Sequence, residues 1–304
     1  MSATTITKFS ILFIYILAVA YTQFRGKVRL KFLRQLVNHS TFIAPINALM
    51  YLFSGVPNQP FYDTRDFPTL ALLRDNWETI RAEAQQLVDQ GYIKAADEHN
   101  DMGFNSFFKR GWKRFYLKWY ENFLPSAEHL CPQTIKLLKA IPDVHGAMFT
   151  LLPKNGQLKP HRDPYAGSLR YHLGLITPNS ESCRIYVDGI PYHWEDGKDV
   201  IFDETYIHAA KNDSDMDRII LFCDVERPIS NKVVRFINHL FCKYIMSESA
   251  TQNLPSDRVG TFNKIYKYYN HLASYLLRLK KRNKPAYHIL QYAGIAGLVY
   301  WIFF

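Results

Sequence analysis

The sequence has few of the features that by themselves assign a chain to a structural class. Its 304 residues include only four cysteines, and none of them forms a CxxC pair, which argues against a cysteine zinc site or a small disulfide scaffold. We therefore expect buried free thiols in a reducing compartment. There is no internal repeat and no low-complexity segment, and a mean hydropathy of −0.19 excludes a polytopic membrane protein. The four cysteines are Cys131, Cys183, Cys223 and Cys242.

Long apolar runs occur only at the two ends. Residues 10–24, extended by 6–9, are just long enough to span a hydrocarbon core of about 30 Å. Only Lys8 precedes this run and five basic residues follow it, which favours an uncleaved anchor with the following chain in the cytoplasm. A cleaved signal peptide is the alternative, and Ala18–Ala20 offers a suitable small-residue site. The five basic residues are Arg25, Lys27, Arg29, Lys31 and Arg34.

The second apolar run, residues 288–304, also adjoins a basic cluster, at 278–284. We expect a membrane segment here. A segment that only dips into the bilayer, or a buried core helix, would have a similar sequence pattern. Much of the net charge of +10 lies beside these two runs, which favours a lipid surface over nucleic acid as the partner. The expected regions are a membrane anchor (1–24), a basic juxtamembrane and helical/aromatic region (25–145), a catalytic core (146–228), a helical region (229–287) and a C-terminal hydrophobic membrane segment (288–304).

The middle of the chain changes character near residue 146. Apolar residues at a spacing of three to four predict helices over 70–91, 134–141, 233–246 and 262–279. Residues 104–120 mix aromatic and basic side chains, which is compatible with a nucleic-acid face, a lipid-interface face or a pair of core strands.

Short apolar runs separated by turn signals occupy residues 146–226 and predict a sandwich or barrel, of which the jelly roll is one form. The candidate strands are Ala147–Leu152, Leu169–Thr177, Cys183–Val187, Asp199–Phe202 and Arg218–Asp224.

Three residues form a candidate metal site. His161 and Asp163 are two residues apart, so both side chains would lie on one face of an extended strand, and His208 follows at the end of another strand. Two imidazoles and one carboxylate leave three positions of a metal open, which suits Fe(II) binding a bidentate co-substrate and dioxygen. Such a pair of ligands is common by chance, so the interpretation depends on further residues.

One such residue is Arg218, ten residues after His208 at the start of an apolar strand. A fixed guanidinium there could pair bidentately with the distal carboxylate of a keto-diacid. Arg170 and His172 would share one face of another strand.

Four motifs carry a family resemblance: HRDPYAGSLRYHLGL, CRIYVDG, WEDGKDVIFDETYIH and DRIILFCDVERP. Together they resemble the aspartyl/asparaginyl β-hydroxylase family over about residues 150–228. The chain is further similar to the membrane-bound bacterial lipid A acyl-chain 2-hydroxylases. That closer likeness extends to the N-terminal apolar run, to FRGKVRLKFLRQLVNHSTF and GFNSFFKRGWKRFYLKWY, and to the hydrophobic C-terminus.

The resemblance implies an α+β fold whose core is a double-stranded β-helix (a cupin-like jelly roll), with flanking helices and terminal membrane segments. It implies that His161, Asp163 and His208 hold iron and that Arg218 binds the 2-oxoglutarate carboxylate. Arg170, His172 and Thr150 match further co-substrate contacts. The animal peptidyl β-hydroxylases have glycine where this chain has Asp163, which separates the chain from them.

The implied activity is that of an Fe(2+)- and 2-oxoglutarate-dependent dioxygenase that consumes O2 and hydroxylates C2 of a secondary acyl chain of lipid A or a precursor. The implied location is the bacterial inner membrane, with the catalytic domain on the cytoplasmic side. The basic clusters and residues 104–120 would then hold the phosphorylated headgroup. Peptidyl aspartyl/asparaginyl β-hydroxylation is the alternative activity, and a non-catalytic membrane scaffold and a nucleic-acid-binding protein are the readings from other classes.

Overall fold

Two antiparallel β-sheets form the centre of the molecule, in a computed structural model that describes residues 3–95 and 101–303. The strands are β1 (Phe61–Tyr62), β2 (Lys113–Trp119), β3 (Asn122–Phe123), β4 (Val144–Leu152), β5 (Gln157–His161), β6 (Ser168–Ile176), β7 (Cys183–Val187), β8 (Ile190–His193), β9 (Asp199–Phe202), β10 (His208–Asn212) and β11 (Arg218–Glu226).

The order of the strands defines the fold. The larger sheet runs β1-β9-β6-β11-β4-β2-β3 and the smaller one β5-β10-β7-β8. From β4 onward the chain passes repeatedly between the two sheets, so that β4, β11, β6 and β9 belong to one and β5, β10, β7 and β8 to the other. This is a double-stranded β-helix, and it confirms the jelly-roll prediction. Strands β6 and β11 are buried along almost their whole length, and most of their side chains are apolar.

Helices surround this core. They are α1 (Ala3–Phe24), α2 (Phe32–Leu36), α3 (His39–Phe42), α4 (Ala44–Leu52), α5 (Ala71–Asp75), α6 (Trp77–Asp89), α7 (Asn105–Phe108), α8 (Pro125–Leu130), α9 (Pro132–Lys139), α10 (Lys232–Phe241), α11 (Thr261–Arg282) and α12 (Lys284–Phe303). The helix predicted over 70–91 is interrupted at Asn76, which separates α5 from α6. The helix predicted over 233–246 continues from α10 into a π-helical turn, Cys242–Met246.

Helix α1 is the apolar helix at the N-terminus. Within the described part of the chain, only its residues 4–24 are long and apolar enough to cross a membrane, and they are largely exposed. The C-terminal helix α12 does not meet the same standard of length and hydropathy. A C-terminal membrane segment therefore stays a prediction.

The segment that follows α1 is fixed to the catalytic sheets. Arg25 is buried, pairs with Asp203 and donates a hydrogen bond of 2.5 Å to the hydroxyl of Thr205. The backbone N–H groups of Lys27 and Val28 donate to the Asp188 carboxylate at 3.0 and 2.8 Å. The expectation that the whole first basic cluster holds lipid headgroups is thus wrong for Arg25, because its charge is neutralised inside the protein.

Residues 104–120 form α7 and β2, and β2 pairs with β4 in the larger sheet. The segment therefore contributes one core strand and a short helix, not the pair of core strands that was one of the alternatives. Arg114 is buried, and its Nε lies 3.1 Å from the carboxylate of Asp101, which is equally buried. Arg114 is consequently unavailable to a headgroup, whereas Lys109 and Lys113 are exposed.

This difference between neighbouring cations can be tested. We expect Arg114→Gln to lower the free energy of unfolding by about 3 kcal/mol, because it leaves a buried carboxylate without its partner. The matched change Lys113→Gln should alter it by less than about 0.5 kcal/mol, since that side chain is exposed. Thermal unfolding of the detergent-solubilised protein measures both. Equal, small effects would contradict the structural role of Arg114.

Candidate metal and co-substrate site

The three predicted metal ligands lie together at one end of the smaller sheet. His161 ends β5 and is paired directly with His208, which begins β10, and the pairing slips immediately after His208. The two imidazole rings are 4.2 Å apart between centroids. Asp163 follows β5, and one ligand atom from each of the three residues lies within 4.8 Å of the others. The strand pairing therefore brings together two motifs that are far apart in the sequence.

Backbone carbonyl groups set the orientation of both imidazoles. Nδ1 of His161 lies 2.7 Å from the carbonyl oxygen of Lys159, and Nδ1 of His208 lies 3.0 Å from that of Tyr206. A carbonyl only accepts hydrogen bonds, so each Nδ1 carries the proton and each Nε2 keeps a lone pair for a metal. These Nε2 atoms lie 3.8 and 4.0 Å from Oδ1 of Asp163.

The charge states suit a divalent cation. Burial lowers the pKa of His208 to about 3 and also lowers the pKa of His161. Burial alone would raise the pKa of Asp163, but Arg170 and the two histidines outweigh it and hold the pKa below its ordinary value. At neutral pH the cluster is therefore two neutral imidazoles and one carboxylate, the donor set of non-haem iron sites.

The loop that carries Asp163 is held from several sides. The Asp163 N–H donates to the carbonyl of Glu204 at 2.9 Å. The guanidinium of Arg162 donates to the carbonyl of Thr22, near the end of α1, at 2.5 Å. Asn47 of α4 donates to the carbonyl of Pro164 at 2.8 Å. The position of a metal ligand thus depends on helices outside the jelly roll.

Arg218 lies in the same cavity and has no counter-charge. Its side chain is buried, and its Cζ lies 4.4 Å from the centre of the Trp194 ring. Among residues 3–95 and 101–303, no carboxylate forms an ion pair with it, and its Nε has no hydrogen-bond partner. Burial lowers the pKa of Arg218 to about 10, so it is still a cation at neutral pH. A buried, unpaired guanidinium is costly, and a ligand carboxylate would account for it.

Thr150 and His172 add two more unsatisfied atoms. Oγ1 of Thr150 and Nε2 of His172 are buried without hydrogen-bond partners among the described residues, while Nδ1 of His172 lies 3.4 Å from the indole nitrogen of Trp194. Both side chains line the cavity that holds Arg218 and the metal ligands, which encloses about 460 Å³ counting its opening. A buried cation and unpaired polar atoms next to the three candidate metal ligands suit a small dicarboxylate. One end of such a ligand would pair with the cation and the other end would bind the metal.

Arg170 has different surroundings from those of Arg218. Its guanidinium contacts Asp163 at 2.8 Å and Asp224 at 3.0 Å, contacts Glu204 as well, and lies over the ring of Phe222. Burial raises the pKa of Asp224, and raises that of Glu204 well above its ordinary value. A co-substrate role for Arg170 stays a prediction, because its charge is already paired with three carboxyl groups.

Sequence reasoning did not single out Glu204, Asp224 or Trp194. The adjacent acidic pair in FDETYIH was the available signal for Glu204, and the tryptophan before EDGK was the signal for Trp194. Nothing local marks Asp224, which reaches Arg170 only through the pairing of β11 with β6.

Known proteins resemble this chain in sequence. The family described as Aspartyl/Asparaginyl beta-hydroxylase matches residues 74–228, half of the chain. An ornithine lipid ester-linked acyl 2-hydroxylase of Rhizobium tropici is 34% identical over 201 residues, which cover 65% of this chain and 71% of the relative. The human aspartyl/asparaginyl beta-hydroxylase is 29% identical over 192 residues, 59% of this chain but only 24% of its own length.

Among solved structures, a prolyl-4-hydroxylase of Pseudomonas putida aligns with 51% of this chain and 87% of its own, at 17% identity and a TM-score of 0.33. The extent of the family match, together with the rhizobial relative, shows that this chain belongs to the aspartyl/asparaginyl β-hydroxylase family.

Proposed function

We propose that this protein is an Fe(II)- and 2-oxoglutarate-dependent dioxygenase that hydroxylates C2 of an acyl chain in a membrane lipid. One observation carries the cofactor assignment: the histidine–carboxylate cluster and the unpaired Arg218 face the same cavity. Membership of a hydroxylase family agrees with this chemistry.

Each residue has a distinct part in the proposal. His161, Asp163 and His208 would hold Fe(II), and Arg218 would bind the distal carboxylate of 2-oxoglutarate. When bound, iron and co-substrate supply the oxidation, in which O2 converts 2-oxoglutarate to succinate and CO2 and places its second oxygen atom in a C–H bond. Aromatic side chains around the cluster, such as Phe107, whose ring lies 4.8 Å from that of His161, limit the access of water.

A lipid substrate is supported by two features. The N-terminal helix α1 is long enough to anchor the protein in a bilayer, and the rhizobial relative is named for the acyl hydroxylation of a lipid. We propose lipid A or its precursor as the lipid, and the cytoplasmic face of the bacterial inner membrane as the location. Exposed Lys109 and Lys113 remain available to a headgroup phosphate.

A second candidate substrate is ornithine lipid, which the name of the rhizobial relative favours. Peptidyl hydroxylation has weaker support, because the human relative is matched over only about a quarter of its length.

Mass spectrometry of total lipids tests the proposal. Cells that express the protein should contain lipid A, or alternatively ornithine lipid, heavier by one oxygen atom, with the hydroxyl at C2 of an acyl chain. The product should disappear with His161→Ala and persist with His193→Ala, an exposed histidine on β8. The purified His161→Ala protein should also bind Co(II) at least about tenfold more weakly than wild type, because a first ligand is missing.

Each outcome is informative. Unchanged lipids together with a hydroxylated aspartyl or asparaginyl peptide would favour the peptidyl alternative. Unchanged Co(II) affinity in the His161→Ala protein would contradict the metal site itself.

A further inference from the structure

A second cavity adjoins the candidate metal ligands, and Arg218 does not line it. It encloses about 950 Å³ counting its mouth. Three residues, Phe104, Asp163 and Arg170, line both this cavity and the one that holds the metal ligands. The two spaces are therefore separated by little more than these side chains, and one of them is a proposed metal ligand.

The charged groups of the second cavity pair with one another or with a neighbouring arginine. Asp163, Glu204 and Asp224 surround Arg170. The remaining acid, Asp101, is paired with Arg114 and accepts a hydrogen bond from Tyr116. The rest of the wall is chiefly apolar and aromatic. It includes Trp119, Tyr120, Tyr165, Phe241, Met246 and Phe262. Such a wall offers a polar ligand little, and it stabilises an apolar one through the hydrophobic effect.

The mouth of the cavity lies on an amphipathic surface. Ile245, at the mouth, is 41% exposed, and the preceding helix α10 exposes Val233 and Phe236. Basic residues Lys232 and Arg235 lie on the same helix. Exposed apolar and basic side chains on one surface helix are typical of a helix at a membrane interface. Helix α10 packs against α4, which packs against the candidate membrane helix α1.

We infer that the second cavity receives the tail of a lipid acyl chain whose C2 is presented to the metal. This inference rests on the proposed function. Oxidation at C2 requires that the carbons beyond C2 lead away from the metal through a space that is chiefly apolar. The second cavity begins at the metal ligand Asp163 and ends among exposed apolar side chains, so a chain can follow it from the bilayer to the metal cluster.

Gly103 provides a way to shorten the cavity. It lines the mouth, and among the described residues a Cβ added there would have one neighbour within 4 Å, Oδ1 of Asp101 at 3.7 Å. Gly103→Leu therefore adds volume without a backbone clash. Ser106→Leu is the matched control, because Ser106 is exposed on the adjacent helix α7 and does not line the cavity.

The experiment compares lipids with the same headgroup and acyl chains of about eight and about sixteen carbons. Excluding two or more methylenes should lower kcat/KM of Gly103→Leu for the longer chain about tenfold or more. For the shorter chain we expect a change of less than about twofold, and Ser106→Leu should resemble wild type with both. Equal losses with both chains, or no loss with either, would overturn the inference.

A binding measurement without metal or turnover separates this inference from the proposed function. A fatty acid brominated in the middle of its chain should quench Trp119 in the metal-free protein, so that Trp119→Phe loses part of the quenching and Gly103→Leu reduces it. If the brominated fatty acid quenches Trp119 but the protein hydroxylates no lipid, the apolar cavity is a binding site and the proposed function is refuted. Lipid hydroxylation without any quenching that depends on Trp119 would refute the cavity inference alone.

Discussion

Arg218→Met should abolish the use of 2-oxoglutarate while making the protein more stable. In the folded protein Arg218 is a buried cation without a carboxylate partner, and its pKa is lowered by burial to about 10. The pKa is lowered by roughly two to three, which corresponds to a free-energy cost of about 3 kcal/mol for burying the charged form. The cation–π contact of Arg218 with the Trp194 ring offsets about 1 kcal/mol of this cost. Replacement by an uncharged side chain of similar length should therefore raise the free energy of unfolding by about 2 kcal/mol.

The same substitution removes the partner of the co-substrate carboxylate. Losing one member of a buried, hydrogen-bonded charge pair costs about 2–5 kcal/mol, so we expect the KM for 2-oxoglutarate to rise at least about thirtyfold. Steady-state kinetics and thermal unfolding of the same preparation measure the two effects.

Two further variants serve as controls for this result. Arg218→Lys should keep the charge but lose the bidentate geometry, and so retain only part of the affinity. Arg184→Met, on β7, removes a half-exposed arginine near Glu181 and should change neither quantity. A destabilised Arg218→Met protein would show that the arginine has a structural partner, and a normal KM would show that 2-oxoglutarate binds elsewhere.

Asp203→Ala should have the largest effect on stability. The Asp203 carboxylate is fully buried and pairs with both Arg25 and Arg227, the latter at 2.6 Å. Its removal leaves two buried guanidinium groups that share no other carboxylate in the described part of the chain. The expected loss is about 4 kcal/mol, or about 10 °C in Tm for a domain of this size. Asp203 does not line the metal cavity, so Co(II) binding should persist at low temperature.

The pH dependence of this network has a definite sign. Burial would raise the pKa of Asp203, but Arg227 and Arg25 outweigh it and hold the pKa far below its ordinary value. The contribution of Asp203 to stability is therefore complete above about pH 4. It is lost only as the pH falls below the pKa of an ordinary aspartate. The wild-type protein should lose more stability than Asp203→Ala in that acidic range.

A surface pair serves as the control for Asp203. Asp63 and Arg65 are bonded at the surface, so Asp63→Ala should leave Tm unchanged within error. An equally small effect at Asp203 would mean that the juxtamembrane segment is not fixed to the jelly roll through Arg25.

Local sequence patterns predicted four strands of the larger sheet and singled out the three candidate metal ligands, whose metal binding stays a prediction. The predicted strands correspond to β4, β6 and β9 of the larger sheet, its final strand β11, and β7 of the smaller sheet. Their runs of apolar and β-branched residues must be buried whatever their partners are. The H-x-D spacing placed the candidate ligands His161 and Asp163 on one face because side chains alternate along a strand, and the family motifs then supported the choice of His208 and Arg218.

Strands β5, β8 and β10 were not predicted. Residues 157–161 are mostly partly or fully exposed and include a proline, so their own composition does not indicate a strand. They form β5 because β10 supplies a hydrogen-bonding partner from about fifty residues away, as antiparallel ladders allow.

Only the tertiary structure distinguished among similar charges. Arg25 and Arg114 belong to basic stretches that resemble membrane-binding surfaces, yet each has a buried carboxylate partner, Asp203 and Asp101 respectively. Arg170 and Arg218 both lie on inward-facing strands, but three acids surround the first and none pairs with the second among the described residues. Whether a buried charge stabilises the fold or binds a ligand depends on partners brought close by folding, because ionic interactions act over a few ångströms of space and not along the sequence.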